Sequence, residues 1–303
     1  MPPSADWRAV LDDVGDARVT MIVGASDAGK TTLVTTLAGE LASRGGPAAV
    51  VDADVGQSEI GPPTTVGLGR VIGPLERLSE ATLVALHFVG VSSPARDIRG
   101  VVEATRRMME RARAEGLDRV LVDTSGLVAG WPGRLLKQQK VEAVDPDLLL
   151  VLERADECEA IARRYEGAGR PRVVRVAARG RPRSRSQSIR RQHRIDALDR
   201  YLAGAGVVAV GLSGLMVRTP PGVPLEGCAE ALCGLDDGRG DTLALGVVDE
   251  VIRDTLRVLT PLPRTATVVG VRVGRERRDG TLVAPAPPRP ASTPGGDGGD
   301  GVR

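Results

Sequence analysis

The segment from Gly24 to Thr31, GASDAGKT, has the spacing of a phosphate-binding loop, G-x-x-x-x-G-K-[ST], at every position. In such a loop the glycines let backbone N–H groups surround phosphate oxygens, a lysine reaches the β- and γ-phosphates, and a hydroxyl holds magnesium. Gly24, Ala25, Ser26, Asp27, Ala28, Gly29, Lys30, Thr31 and Thr32 are therefore the expected nucleotide cradle, with Lys30 meeting only ligand. The chain has three lysines, Lys30, Lys137 and Lys140, against 38 arginines, so this lysine is not a by-product of abundance. A second kind of chemistry lies in VDADVGQSEIGPPTT, where Asp52 and Asp54 close an apolar run. Carboxylates at the end of a parallel strand beside a phosphate loop are placed to meet magnesium or an incoming nucleophile. An ordinary strand-end turn is the other use for such a pair. Asp123 ends a further apolar run, RVLVD, and leads into Thr124, Ser125 and Gly126.

These residues need a scaffold that brings strand ends together, and the periodicity supplies one. Short apolar runs at 19–23, 48–51, 82–89, 119–123, 147–152 and 173–176 read as buried strands. Helical patterns fill 32–44, 95–116, 131–144 and 155–165 between them. Such alternation predicts an α/β domain with a mostly parallel sheet covered on both faces. Trp7, Val10, Leu11 and Val14 predict a short helix within an N-terminal extension, residues 1–16. The P-loop domain then spans 17–205 and includes an Arg-rich segment over about 179–204. Its first part reads as a flexible basic linker. Within its second part Ile189, Ile195, Leu198 and Leu202 recur at helical intervals, with Arg190, Arg191 and Arg194 on another side. Residues 206–284 are β-like, with VVAVGL, TLALGVV, TATVVGVRV and GTLVAP between turn residues, and predict a small β-rich domain. The tail 285–303 has the composition of a disordered segment.

Composition narrows the class of partner. The net charge of +2 hides a basic stretch, Arg163 to Arg200, with 13 arginines and three acids, which leaves the rest of the chain at −8. A basic segment on an acidic protein points to a polyanionic ligand, although a charge run also serves as a solvated face. Three cysteines form no metal-ligand spacing with the two histidines, and an odd number argues against a disulfide framework. Reduced thiols and an acidic N-terminus without an apolar core favour a cytoplasmic protein. No apolar run reaches the ~20 residues of a membrane span, so no membrane partner is expected.

The chain resembles the polynucleotide 5′-hydroxyl-kinase family, the P-loop RNA kinases of pre-mRNA 3′-end processing, tRNA splicing and pre-rRNA processing. GASDAGKTT, DADVGQ, HFVGVSSP, VDTSGLVAG and IRRQHR…DRYL occur in the family's order, and GLSGL…LALGVVDEV…LTP is similar to its C-terminal β domain. Together they cover about residues 18–275. The resemblance implies transfer of the γ-phosphate of ATP to the 5′-hydroxyl end of RNA or DNA, with Mg2+. It implies that Lys30 and Thr31 bind triphosphate and metal, and that Asp54 is the base and a metal neighbour, Asp52 or Asp123 being alternatives as metal ligand. Gln57, Ser92, Ser93, Thr124, Ser125, Gly126 and Arg191 would contact substrate, and Arg190 and Arg194 would form a lid over the γ-phosphate. Two departures stand out. Leu127 replaces the tryptophan that many eukaryotic members use for base stacking, with Trp131 four residues on. The N-terminal domain of eukaryotic relatives is also missing, which favours a stand-alone protein without an obligate protein partner.

Two other functions compete with this one. Asp123–Gly126 fits the D-x-x-G of switch GTPases, but Glu153-Arg-Ala-Asp156 stands where N-K-x-D would read guanine. A catalytically silent RNA-binding subunit would have had little reason to keep Lys30, Thr31, Asp54 and Arg194.

Overall fold

The structure, a computed structural model, describes residues 5–178 and 186–283. The expected flexible linker falls largely on 179–185 and the disordered tail on 285–303, both outside the described residues. Helix α1 (Ala5–Asp16) precedes β1 (Val19–Gly24), the phosphate loop and α2 (Lys30–Gly45). Then come β2 (Ala48–Ala53), β3 (Thr65–Val71), β4 (Thr82–Phe88), α3 (Ile98–Ala114) and β5 (Val120–Thr124). The domain is completed by α4 (Gly130–Val144), β6 (Leu148–Glu153), α5 (Glu159–Ala162) and β7 (Arg172–Ala177).

The seven strands lie in the order β4-β3-β2-β5-β1-β6-β7. From β2 to β7 the pairing is parallel, and β3 is antiparallel to both its neighbours. Strands β1, β2, β5 and β6 are buried almost throughout, as expected when helices cover both faces. One apolar cluster, with Met108, Met109, Leu136 and Val151, fills one face of the sheet. Another, with Val14, Leu37, Leu41 and Leu150, fills the other. Both methionines of α3 lie in the core.

Two elements differ from expectation. β3 was not anticipated because TVGLGRV carries two glycines, which ordinarily weaken a strand. Here a Cβ at Gly67 would lie 2.0 Å from the Ile60 carbonyl oxygen, so glycine lets the loop after β2 fold against this strand. Helix α5 has four residues where 155–165 was expected, with turns on either side.

Helix α6 (Gln187–Tyr201) leads into the second domain. Its strands are β8 (Gly206–Gly211), β9 (Met216–Arg218), β10 (Ala231–Asp236), β11 (Thr242–Ile252), β12 (Thr255–Thr260) and β13 (Gly270–Arg277). They form one sheet in the order β8-β12-β11-β10-β13-β9, antiparallel except for β13 with β9. TATVVGVRV becomes strand only from Gly270, and GTLVAP contributes a single bridge at Leu282. Leu198 and Leu202 of α6 pack with Phe88, Leu232, Leu245 and Val247, so the base of α6 is gripped between the domains. The domains are also joined by Arg272, which donates to both oxygens of Asp236 (2.6 and 2.8 Å), to the Phe88 carbonyl (2.7 Å) and to His87 Nε2 (2.7 Å). No described helix is long and apolar enough to cross a membrane.

Candidate phosphoryl-transfer site

The site lies at the carboxyl ends of β1, β2 and β5, where helix N-termini and loops converge as in other open parallel sheets. Gly29, in left-handed backbone (φ 98°), caps α2 without a side-chain bond, so the first amides of the helix face the loop. A Cβ at Gly24 would stand 2.5 Å from the Leu152 carbonyl oxygen, which explains the loop's first glycine. Asp27, at the loop tip, has φ 59°. Its carbonyl accepts from Arg154, and its carboxylate pairs with Arg190 of α6 at 2.7 Å. Lys30 corrects one expectation: it is buried, and its Nζ donates to the Ala25 carbonyl at 2.9 Å, so it also braces its own loop.

The two aspartates of β2 are used differently. Asp52 is buried, and its carboxylate accepts from Asp54 N (3.1 Å), Ser58 Oγ (3.2 Å), Glu59 N (2.6 Å) and Ile60 N (3.0 Å). It is the organiser of the turn that follows the strand. Burial pushes its pKa well above the ordinary carboxylate range, and neighbouring Asp123 adds to the rise, while the Ile60 and Glu59 amides oppose it. Asp54 is half-buried and accepts Gly56 N (3.1 Å) and Gln57 N (3.2 Å) on Oδ1 alone, which leaves Oδ2 for other partners.

Asp123 is the cross-strand neighbour of Asp52. Its Oδ2 accepts the Thr31 hydroxyl at 2.6 Å, while Oδ1 is buried without a partner. Burial raises its pKa too, with Lys30 and the Thr31 hydroxyl opposing. A hydroxyl beside an orphaned carboxylate oxygen fits a divalent cation held by few protein ligands plus phosphate and water. Among the described residues no group of three or more acids, histidines or cysteines could hold a metal unaided.

The expected acceptor segments are present, but not every side chain faces outward. A Cβ at Gly56 would lie 2.6 Å from the Ser92 carbonyl oxygen, so the Gln57 and Ser92–Ser93 loops touch. Gln57 Nε2 donates to the Gly56 carbonyl, and Ser92 and Ser93 are half-buried. Thr124 and Ser125 are buried, and the Thr124 hydroxyl donates to the Ile22 carbonyl at 2.7 Å. Gly126 abuts the phosphate loop: a Cβ there would be 2.4 Å from Ser26 N and Cα. In α6, Arg191 donates to the Asp279 carbonyl (2.6 and 3.0 Å), which ties it to the β domain. Arg194 is half-buried, within electrostatic reach of Glu276 and Asp54, and burial lowers its pKa.

Several residues that shape the site were not anticipated. Glu276 of β13, buried, accepts Ser92 N at 2.9 Å and lies 3.9 Å from Arg96. Nothing in its sequence neighbourhood sets it apart. Lys137 and Lys140 of α4 are also buried beneath the strand ends, and here the scarcity of lysine was a usable signal.

A P-loop α/β domain joined to a β domain is the class this fold and site define. Residues 24–204 match the family described as mRNA cleavage and polyadenylation factor CLP1 P-loop, and the chain belongs to that family. The polyribonucleotide 5′-hydroxyl-kinase of Pyrococcus furiosus is 38% identical over 197 residues, covering 65% of this chain and 54% of the relative. That of Thermococcus kodakarensis is 43% identical over 136 residues, covering 45% and 38%. The chain thus spans about half the length of the curated relatives it matches. Clp1p, in its complex with Pcf11p, has the same fold, with a TM-score of 0.70 at 15% identity over 90% of this chain and 78% of that one.

Proposed function

We propose that this chain is an ATP-dependent polynucleotide 5′-hydroxyl kinase. The observation that carries the reading is the separation of roles among three clustered aspartates. Asp52 is consumed by the turn, Asp123 is paired with Thr31, and Asp54 keeps an oxygen for an acceptor. The names of the archaeal relatives supply the acceptor class, the 5′-hydroxyl end of a polyribonucleotide.

In this reading the loop amides of 24–32 and Lys30 bind the triphosphate. Thr31 and Asp123 would hold a magnesium ion, with Asp54 nearby, and the ion would supply charge neutralisation to the triphosphate. Asp54 takes the proton of the 5′-hydroxyl, whose oxygen bonds to the γ-phosphorus as the bond to the β-phosphate oxygen breaks and ADP leaves. Gln57, Ser92, Ser93 and Gly126 border the acceptor. Arg190 and Arg194 face the transferring phosphoryl group, where fixed positive charge stabilises a loose transition state. Arg190 leaves Asp27 to do so. The three cysteines, free and buried, support a reducing compartment such as the cytoplasm.

The switch-NTPase reading draws on Asp123–Gly126. Against it, Thr124 and Ser125 are buried and Gly126 is wedged against Ser26, a poor start for a segment that must rearrange. Incubation with γ-labelled ATP and matched oligonucleotides tests the proposal. Label should enter the 5′-hydroxyl strand and not its 5′-phosphorylated twin. Free phosphate released at a rate indifferent to the end group would favour the switch.

A further inference from the structure

Lys137 and Lys140 stand one helical turn apart on α4, and both are fully buried. Burying an ammonium group is costly unless its donors are met. Lys137 Nζ donates to the Ser125 carbonyl at 2.5 Å and to the Thr124 hydroxyl at 3.0 Å. Lys140 Nζ donates to the carbonyl of Ala53, the residue before Asp54, at 3.0 Å. Each lysine therefore grips the backbone of one strand end at the site. Asp54, Asp52 and Asp123 act on Lys140 through space, and Asp54 and Asp123 on Lys137.

We propose that Lys137 and Lys140 are positioning residues for phosphoryl transfer, fixing from beneath the two strand ends that carry Asp54 and Thr124–Gly126. The proposal rests on the kinase reading for the reaction served. The residue type supports it. In a chain with 38 arginines, every lysine is buried in this site: one in the phosphate loop and two under the strand ends. Arginine carries five donors on a rigid plane and could not be satisfied by the one or two acceptors each pocket offers. An amino group on a flexible stem has at most three donors and leaves fewer of them unmet. Burial lowers the pKa of both amines, that of Lys137 well below the ordinary lysine range, so their contribution here is to hold backbone and not to supply two full charges.

If the lysines merely fill space between α4 and the sheet, methionine should replace them without functional loss, because a buried charge is often exchanged for an apolar side chain at no cost to stability. Lys137→Met and Lys140→Met, purified as the full chain, separate the two roles. Positioning predicts an unchanged or higher melting temperature. It also predicts turnover at saturating ATP and acceptor lowered on the order of tenfold or more, with KM for ATP changed much less. Lys140→Arg should not restore turnover. If methionine prevents folding, Lys137→Gln and Lys140→Gln carry the same expectation, since the amide is shorter and uncharged. Wild-type turnover in any folded methionine or glutamine variant would overturn the proposal. A wild-type protein that hydrolyses ATP without labelling 5′-hydroxyl ends would refute the kinase reading instead, and the lysine comparison would then be read in phosphate release.

Discussion

Asparagine at position 52 and asparagine at position 54 should fail in opposite ways. Asp54→Asn keeps an oxygen for Gly56 N and Gln57 N, so the turn survives and the melting temperature should stay close to wild type. What disappears is the proton acceptor, and turnover should fall by ~10²–10⁴. In Asp52→Asn the amide oxygen can serve Glu59 N and Ile60 N, but the NH2 then opposes Asp54 N, a buried donor left without a partner. An unsatisfied buried group costs about 1–3 kcal/mol. Part of that returns because burial already disfavours the Asp52 charge. The net loss should lower the melting temperature by a few degrees, at about 2–4 °C per kcal/mol for a chain of this size. Thermal unfolding paired with labelled transfer per folded molecule reads both effects. Asp52→Asn with wild-type stability and abolished turnover would reverse the assignment of the pair.

Other outcomes follow from single contacts. Lys30→Met should abolish transfer while costing about 1 kcal/mol for the lost bond to Ala25, read by transfer assay and melting curve. Gly126→Ala forces a methyl against the Ser26 backbone, so it should destabilise by ~1–3 kcal/mol and raise KM for ATP; an alanine variant with wild-type KM would show that the loop tolerates the shift. His87 is a pH-dependent contact between the domains. Arg272 donates to its Nε2, and burial, then the Arg272 charge, lowers its pKa to about 3. Because the folded value lies below the unfolded 6.5, its contribution is complete above pH 6.5 and is lost as pH falls toward 3. By pH 5 the loss approaches about 2 kcal/mol, and His87→Gln should flatten the acid limb of the melting temperature. An unchanged acid limb in that variant would remove His87 from the linkage.

The phosphate loop and alternating elements were legible because their signals are local: a fixed spacing, and apolar runs that match strand and helix periods. β3 was hidden because its glycines answer to Ile60, a contact made only after the chain folds back. Asp52 and Asp54 could not be told apart in sequence, since their difference lies in which amides the following turn aims at each oxygen. Glu276 enters from a domain 184 residues away from Ser92, beyond the range of any spacing rule. The arginines of α6 showed their periodicity, but only tertiary structure sends Arg190 to Asp27, Arg191 to Asp279 and Arg194 toward Glu276 and Asp54.

If the γ-phosphate goes to a nucleic-acid 5′ end and not to water, stoichiometry at completion shows it. Wild-type protein with excess ATP and a limiting 5′-hydroxyl oligonucleotide should consume ATP until one phosphate has entered each strand and then stop. ADP formed should equal label transferred, and the same oligonucleotide bearing a 5′-phosphate should yield almost no ADP. Arg190→Ala/Arg194→Ala should lower the rate of that reaction at saturating acceptor without changing its end point. ADP that accumulates past one equivalent, with the oligonucleotide unlabelled, would mean that the protein hydrolyses ATP and is not a 5′-hydroxyl kinase.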